Sequence, residues 1–218
     1  MIFKVTAAGA FSVVHTFDNT NGCNPLGGYL TQGTDGKLYG IATNGGANGS
    51  GVFFSFDVGL SPFVSLMTTS GKELSKVEIL GQGFSSSSVV KFGGVAATTI
   101  AVTGSTYILA TVPAGALTGA VTVTTGATTL TSAQTFKVLP TITSFTPASG
   151  PVGTPVVITG TGLTQTTAVK FGGVKATTFT VNSDTQITAD VPTGAKTGKI
   201  AVTTKGGSAT SSTSFTVN

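Results

Sequence analysis

The chain has 218 residues, enough for one large β domain or for two to three small ones. Only 8% of them are charged, against roughly 25% in ordinary globular proteins, so Thr, Ser, Asn and Gly must carry the surface polarity. The net charge of +4 rests on 11 scattered lysines with no arginine and no basic cluster, which excludes the charged stripe that nucleic-acid binding needs.

Hydrophobic residues make up 39% of the chain, so a packed core is within reach. Abundant glycine (31 residues), many β-branched threonines and the lack of long runs at helical spacing predict an all-β protein. No stretch of about 18 apolar residues exists, so no membrane span is predicted. Cys23 is single and cannot form an internal disulfide. The opening MIFKVTAAGAFSVVHTF has neither a basic leader nor a continuous apolar run, so it reads as a strand pair rather than a signal peptide. An export signal is expected upstream, outside this chain.

Residues 1–59 form a β-rich segment of short strands and glycine turns. Its marks are Phe17-Asp18-Asn19-Thr20-Asn21-Gly22, Gly33-x-Asp35-Gly36-x-Leu38-Tyr39-Gly40 and Gly45-Gly46-Ala47-Asn48-Gly49-x-Gly51-Val52-Phe53. From His15 to Phe56 this resembles one unit of the GloVer-type tandem repeats of bacterial surface-associated proteins. Ile2–Val5 resembles the end of a preceding unit, as Val52–Phe56 ends this one. The spacing of about 50 residues falls in the range of propeller blades. A single blade-like unit cannot bury both faces, so it is expected to be the last unit of a truncated array or to pack on the first sandwich.

Beyond residue 59 the sequence repeats. VKFGGV occurs at Val90–Val95 and again at Val169–Val174, an offset of 79 residues. The same offset aligns Gly81-x-Gly83 with Gly160-x-Gly162, Val112-Pro113 with Val191-Pro192, and Phe136-x-Val138 with Phe215-x-Val217, with no insertion. Each copy alternates with period 2 between Gly and Pro stops, as at Val156–Ile158, Val169–Phe171, Thr177–Val181, Ile187–Val191, Lys199–Thr204 and Ser214–Val217. About seven strands in under 80 residues predict a Greek-key sandwich. Gly93-Gly94 and Gly172-Gly173 should make tight hairpins. The pattern SFTPASGPVGTPVVITGTGL…VKFGGVKAT…SDTQITADVPTGAKTGKIAVTT…SFTV resembles the IPT/TIG domain, which implies an Ig-like fold. The predicted layout is therefore two tandem Ig-like β-sandwiches, 60–139 and 140–218, with the first copy departing at Lys72 and Leu74, where the second has Pro151 and Gly153. Pro140 in the link should stiffen the junction.

The chemically suggestive residues each have a plain structural explanation. His15, the one histidine, lies in an alternating strand. Cys23 lacks a visible base. Asp18-x-x-Asn21-Gly22 and Asp35-Gly36 fit Asx-turns better than a Ca²⁺ loop, which needs six or more oxygens. Asp184 and Asp190 could suggest a hydrolytic carboxylate pair, but the first copy has Ser105 and Thr111 there, so they read as a turn and a strand residue. Lys91 and Lys170 are expected to point outward, where they discourage edge pairing; an internal Lys–Asn crosslink has no identifiable partner. The Gly-x-Gly pairs lack the Lys-Ser/Thr of a phosphate loop. Asn48-Gly49-Ser50 is a glycosylation sequon of little weight.

No catalytic, cofactor-binding or metal-binding residue is assigned, and no enzyme activity is expected. The reading is a structural or adhesive module of an extracellular or cell-surface protein, partnered by other protein subunits or surface proteins. Self-association into a filament by strand addition is a variant of it. The alternative is an accessory carbohydrate-binding module, limited by the absence of Trp and by only three tyrosines, Tyr29, Tyr39 and Tyr107. A DNA-binding role is opposed by the missing arginines.

Overall fold

In the computed structural model, residues 1–25 and 29–218 are described; three residues of the GloVer-like stretch, 26–28, fall outside them. All regular structure among the described residues is β, and no helix is long and apolar enough to cross a membrane. The chain divides into two compact units at Pro62/Phe63.

The first unit holds two separate sheets. Ile2–Val5 pairs antiparallel with Phe11–His15, and Thr31–Gln32, Leu38–Ala42 and Val52–Phe56 form a three-stranded sheet. The turn into Leu38–Ala42 is set by chemistry: Asp35 accepts from the Lys37 N–H at 3.1 Å, and Gly36 takes φ +85°. The unit has little interior. Ile2 and Ala42 are its buried hydrophobics among the described residues. Cross-strand pairing sets Phe3 beside Val13 and Val5 beside Phe11 on one face, all half exposed.

The second unit contains the two sandwiches. In the first, Val95–Ala96, Val89–Phe92, Gly119–Thr125, Thr128–Val138 and Ser70–Gly71 make one sheet. Ile100–Thr103, Tyr107–Thr111, Lys76–Gly81 and Val64–Leu66 make the other. The second sandwich repeats this order strand for strand. Its sheets are Ser149–Gly150, Ser208–Val217, Gly198–Thr204, Thr166–Phe171, Val174–Lys175 and Thr141–Thr146, Pro155–Thr161, Gln186–Asp190, Phe179–Ser183. In each copy a short strand joins the end of the last strand in parallel, Ser70 beside Lys137 and Ser149 beside Thr216.

The cores coincide under the 79-residue offset. Val77, Ile79, Val90, Phe92, Ile108, Val121, Val123 and Phe136 match Val156, Ile158, Val169, Phe171, Ile187, Ile200, Val202 and Phe215, all fully buried. This is the inward half of each alternating strand, and the hydrophobic effect fixes its register. The outward half carries Thr, Ser and the exposed Lys91 and Lys170. Lys170 sits across from Lys175, a like-charge pair on a nearly bare edge that repels an added strand. An internal crosslink would need a buried lysine, and both of these face solvent.

The last strand is longer than its alternation suggests, starting at Ser208 rather than Ser214. The run SATSSTS has no apolar alternation because a bulge interrupts it. The register shifts between Lys199 and Ala201, and the buried Ser211 hydroxyl fills the gap, accepting from the Ile200 N–H at 3.0 Å and donating to the Thr213 carbonyl at 2.6 Å. Ser132 does the same for Val121 and Gln134 in the first copy. Ser211→Ala should strand a buried N–H and cost the second sandwich about 1–3 kcal/mol in urea denaturation.

Leu74 shows what the divergence of the first copy costs. It holds φ +65° where the second copy has Gly153 at +87°. Its N–H still donates to the Val112 carbonyl at 2.9 Å, as that of Gly153 does to Val191. Leu74 is largely exposed, so little packing offsets the left-handed strain. Leu74→Gly should therefore raise the unfolding free energy of the first sandwich by about 1 kcal/mol.

Candidate functional site

The residues singled out in the sequence are engaged locally rather than gathered. His15 ends its strand half-buried, edge-on to Phe17 at 4.8 Å. Cys23 is half-buried in an isolated bridge to Asn44, whose carbonyl accepts the Cys23 N–H at 2.7 Å. Asp18 accepts from the Thr20 hydroxyl at 2.7 Å and from the N–H groups of Thr20 and Asn21, and these bonds hold its carboxyl below the usual range. Asp35 is lowered by the Tyr39 hydroxyl at 2.6 Å and the Lys37 N–H. Both acids close Asx-type turns with the oxygens a cation would need. Among the described residues no group of three or more His, Cys, Asp or Glu could hold a metal ion.

The Gly-x-Gly pairs mark strand ends where backbones close in. A side chain at Gly160 would run into the Thr141 carbonyl, and Gly162 takes φ +67°. Asn48 of the sequon is exposed. Asp190 lies in the strand Gln186–Asp190, half-buried, and accepts from the Thr178 hydroxyl at 2.9 Å.

Asp184 is more than a turn residue. It accepts from the Gly162 N–H at 3.2 Å and the Thr164 hydroxyl at 2.8 Å, pinning the loop after the strand Pro155–Thr161. It also acts on the carboxyl of Glu73, from the first sandwich. Glu73 accepts the Gly115 N–H at 2.6 Å. Partial burial, then the hydrogen bond to Asp184, push its carboxyl up to about 7, against the opposing pull of the Gly115 and Ala116 N–H groups.

That acid pair belongs to a joint. Only Leu139 and Pro140 separate Val138, the last strand residue of one sandwich, from Thr141, the first of the next, and Pro140 is buried. The Gln165 amide engages both backbone polar groups of one residue on the first sandwich, accepting the Thr118 N–H at 2.8 Å and donating to the Thr118 carbonyl at 3.5 Å. Gly206 is buried against the Val138 carbonyl and the Thr118 hydroxyl, where a side chain could not fit. Sequence reading missed the joint because Glu73 and Asp184 lie 111 positions apart and belong to different copies. The available signal was a difference between copies: Glu73, Gln165, Asp184 and Gly206 align with Val152, Ser86, Ser105 and Ala127.

In the first unit, Tyr29, Thr31, Tyr39, Gly40, Ile41 and Phe53 line an open depression of about 390 Å³. The Tyr39 and Phe53 rings stack at 5.5 Å.

Comparison with known proteins bears on the sandwiches. No curated protein matches the chain significantly. Among solved structures, the surface glycan-binding protein PbSGBP-B of Prevotella bryantii is 20% identical, with a TM-score of 0.48 over 72% of this chain and 42% of its own. SGBP-B from a complex xyloglucan utilization locus of Bacteroides uniformis is 20% identical, with a TM-score of 0.35 over 72% and 50%. The plexin A4 extracellular region is 21% identical, with a TM-score of 0.36 over 72% and 18%. The chain thus spans half or less of these proteins. The sequence pattern of the IPT/TIG domain matches residues 62–138 and again 140–217. With two matched segments over most of its length, two repeated cores and one shared strand order, the chain belongs to the IPT/TIG domain family.

Proposed function

We propose that the chain is a non-catalytic module of an extracellular or cell-surface protein, in which the two sandwiches act as a stiff spacer with adhesive faces. The observation that carries this reading is the joint. Two residues link the sandwiches, and specific contacts clamp them, as a spacer requires and a free tether does not. The Thr-rich, weakly charged outer faces suit broad contact with surface proteins or other subunits. Antibody against the sandwiches should label intact cells expressing the full-length protein; labelling only after permeabilisation would overturn the location. Replacing both sandwiches by an unrelated rigid pair should preserve function, and its loss would overturn the spacer role.

Within this reading, residues 1–59 are one GloVer-type repeat unit that shares its apolar faces with a neighbouring unit, which its meagre interior supports. Expressed alone, that segment should be digested quickly by protease; resistance would contradict the assignment. Growth into a filament by strand addition is a finer form of the same proposal, and electron microscopy showing only monomers at high concentration would exclude it.

Carbohydrate recognition is the second reading, favoured by the exposed aromatic depression of Tyr29, Tyr39 and Phe53. Tyrosines can stack on sugar rings while their hydroxyls hydrogen-bond. Binding on a glycan array that Tyr29→Ala abolishes would support it, and no binding would retire it.

A further inference from the structure

The joint has two unlike halves. The half on the first sandwich is backbone: the Thr118 N–H and carbonyl that Gln165 engages, and the Val138 carbonyl that Gly206 lies against. The half on the second sandwich is a pair of side-chain choices, an amide at 165 and no side chain at 206. These two positions are tied together, because the Lys205 N–H donates to the Gln165 carbonyl at 3.1 Å. Under the 79-residue offset the first half recurs and the second does not.

The backbone half is rebuilt at the far end of the second sandwich. Thr197 stands for Thr118, and its hydroxyl accepts the Val217 N–H at 2.9 Å, as that of Thr118 accepts the Val138 N–H at 2.9 Å. The flanking glycines keep their conformations: Gly115 at φ +72° matches Gly194 at +78°, and Gly93 at +56° matches Gly172 at +53°. What differs is the cover. Thr118 is half-buried and Val138 buried, whereas Thr197 is exposed and Val217 half-buried. The Thr197 N–H has no partner among the described residues.

The side-chain half is missing from the first sandwich. Ser86 stands where the second copy has Gln165, and Ala127 where it has Gly206; both are exposed. A serine lacks the amide that can accept from an N–H and donate to a carbonyl together. Ala127 carries the methyl that the close approach at Gly206 forbids. The first sandwich can therefore receive a neighbour in this manner but cannot dock onto one, while the second can do both.

We infer that the far end of the second sandwich, around Thr197 and Val217, is a docking surface for a further IPT/TIG sandwich that carries Gln and Gly at the places of Gln165 and Gly206. The inference rests on the spacer reading and gives the spacer a direction of growth. The contact is head-to-tail, so it does not close on itself and can repeat. Its selectivity has an attractive part, the amide, and a repulsive part, the exclusion of any side chain at the glycine. Val152 occupies the place of Glu73 at that end, so the new joint needs no acid pair.

Double electron–electron resonance on the full chain tests this, with Cys23→Ser to remove the native thiol. Nitroxides at Lys91→Cys and Lys170→Cys, equivalent exposed positions, report the existing joint. A second 139–218 segment fused after Val217, with Lys170→Cys in both of its type of sandwich, reports the new one. The two distance distributions should agree in centre and width. Gln165→Ser with Gly206→Ala in the appended copy alone should replace the peak by a broad distribution; both residues are those of the folded first copy, so the appended sandwich should keep its thermal unfolding transition. A narrow parent distribution with a broad one for the unmodified extension would overturn this inference and leave the spacer standing. A broad parent distribution would overturn both. An extension that stays equally narrow with Ser and Ala in place would also overturn the inference, since docking would then not depend on these residues.

Discussion

Phe171→Ala is expected to cost the second sandwich about 3–5 kcal/mol, most of the stability of a domain this size. The ring is fully buried and packs edge-on against Phe215 at 5.4 Å and 75°. Removing it leaves a cavity between two sheets whose backbones are fixed by their ladders, so the site cannot collapse to fill it. Phe92, against Phe136 at 5.1 Å and 67°, should behave alike in the first sandwich. Urea denaturation followed by circular dichroism would show the midpoint of one sandwich falling while the other holds. A loss below about 1 kcal/mol would place the ring outside a close-packed core.

Gly172→Ala should cost about 2–5 kcal/mol, and Gly173→Ala distinctly less. Both glycines lie in the left-handed region, at φ +53° and +91°, which matches a type I′ hairpin turn. An alanine at either meets about 1–2 kcal/mol of backbone strain. Only at Gly172 does the added methyl also strike the Lys196 carbonyl; at Gly173 it points into open space. The clash is with backbone and cannot be relieved by a rotamer change, so overpacking of about 1–3 kcal/mol is added there alone. Gly93 and Gly94 repeat the contrast against Leu117. Equal losses at the two positions of either turn would show that conformation alone accounts for the glycines.

The sandwiches were legible because burial imposes period 2 and duplication shows it twice. Val90-x-Phe92 and Val169-x-Phe171 needed no structure to be placed inward. The Gly-Gly turns were legible because type I′ geometry leaves few residue choices. Ser132 and Ser211 were not: a serine that replaces a ladder hydrogen bond looks like any surface serine in a Thr/Ser run. Leu74 was visible only as a departure from Gly153, and the sequence could not say that the left-handed conformation had been kept. The joint was hidden for a third reason. Its residues have no local pattern, and their partners are chosen by how two domains meet, a long-range property that alternation does not encode. Glu73 looked like one of seven scattered acids, with nothing local to tie it to the second sandwich.

The account rests on the two sandwiches behaving as one docked body. Nitrogen-15 relaxation of the full chain measures this directly. One rotational correlation time, shared by residues 63–138 and 140–217, is the predicted result. Separate correlation times, each appropriate to a single sandwich, would contradict it.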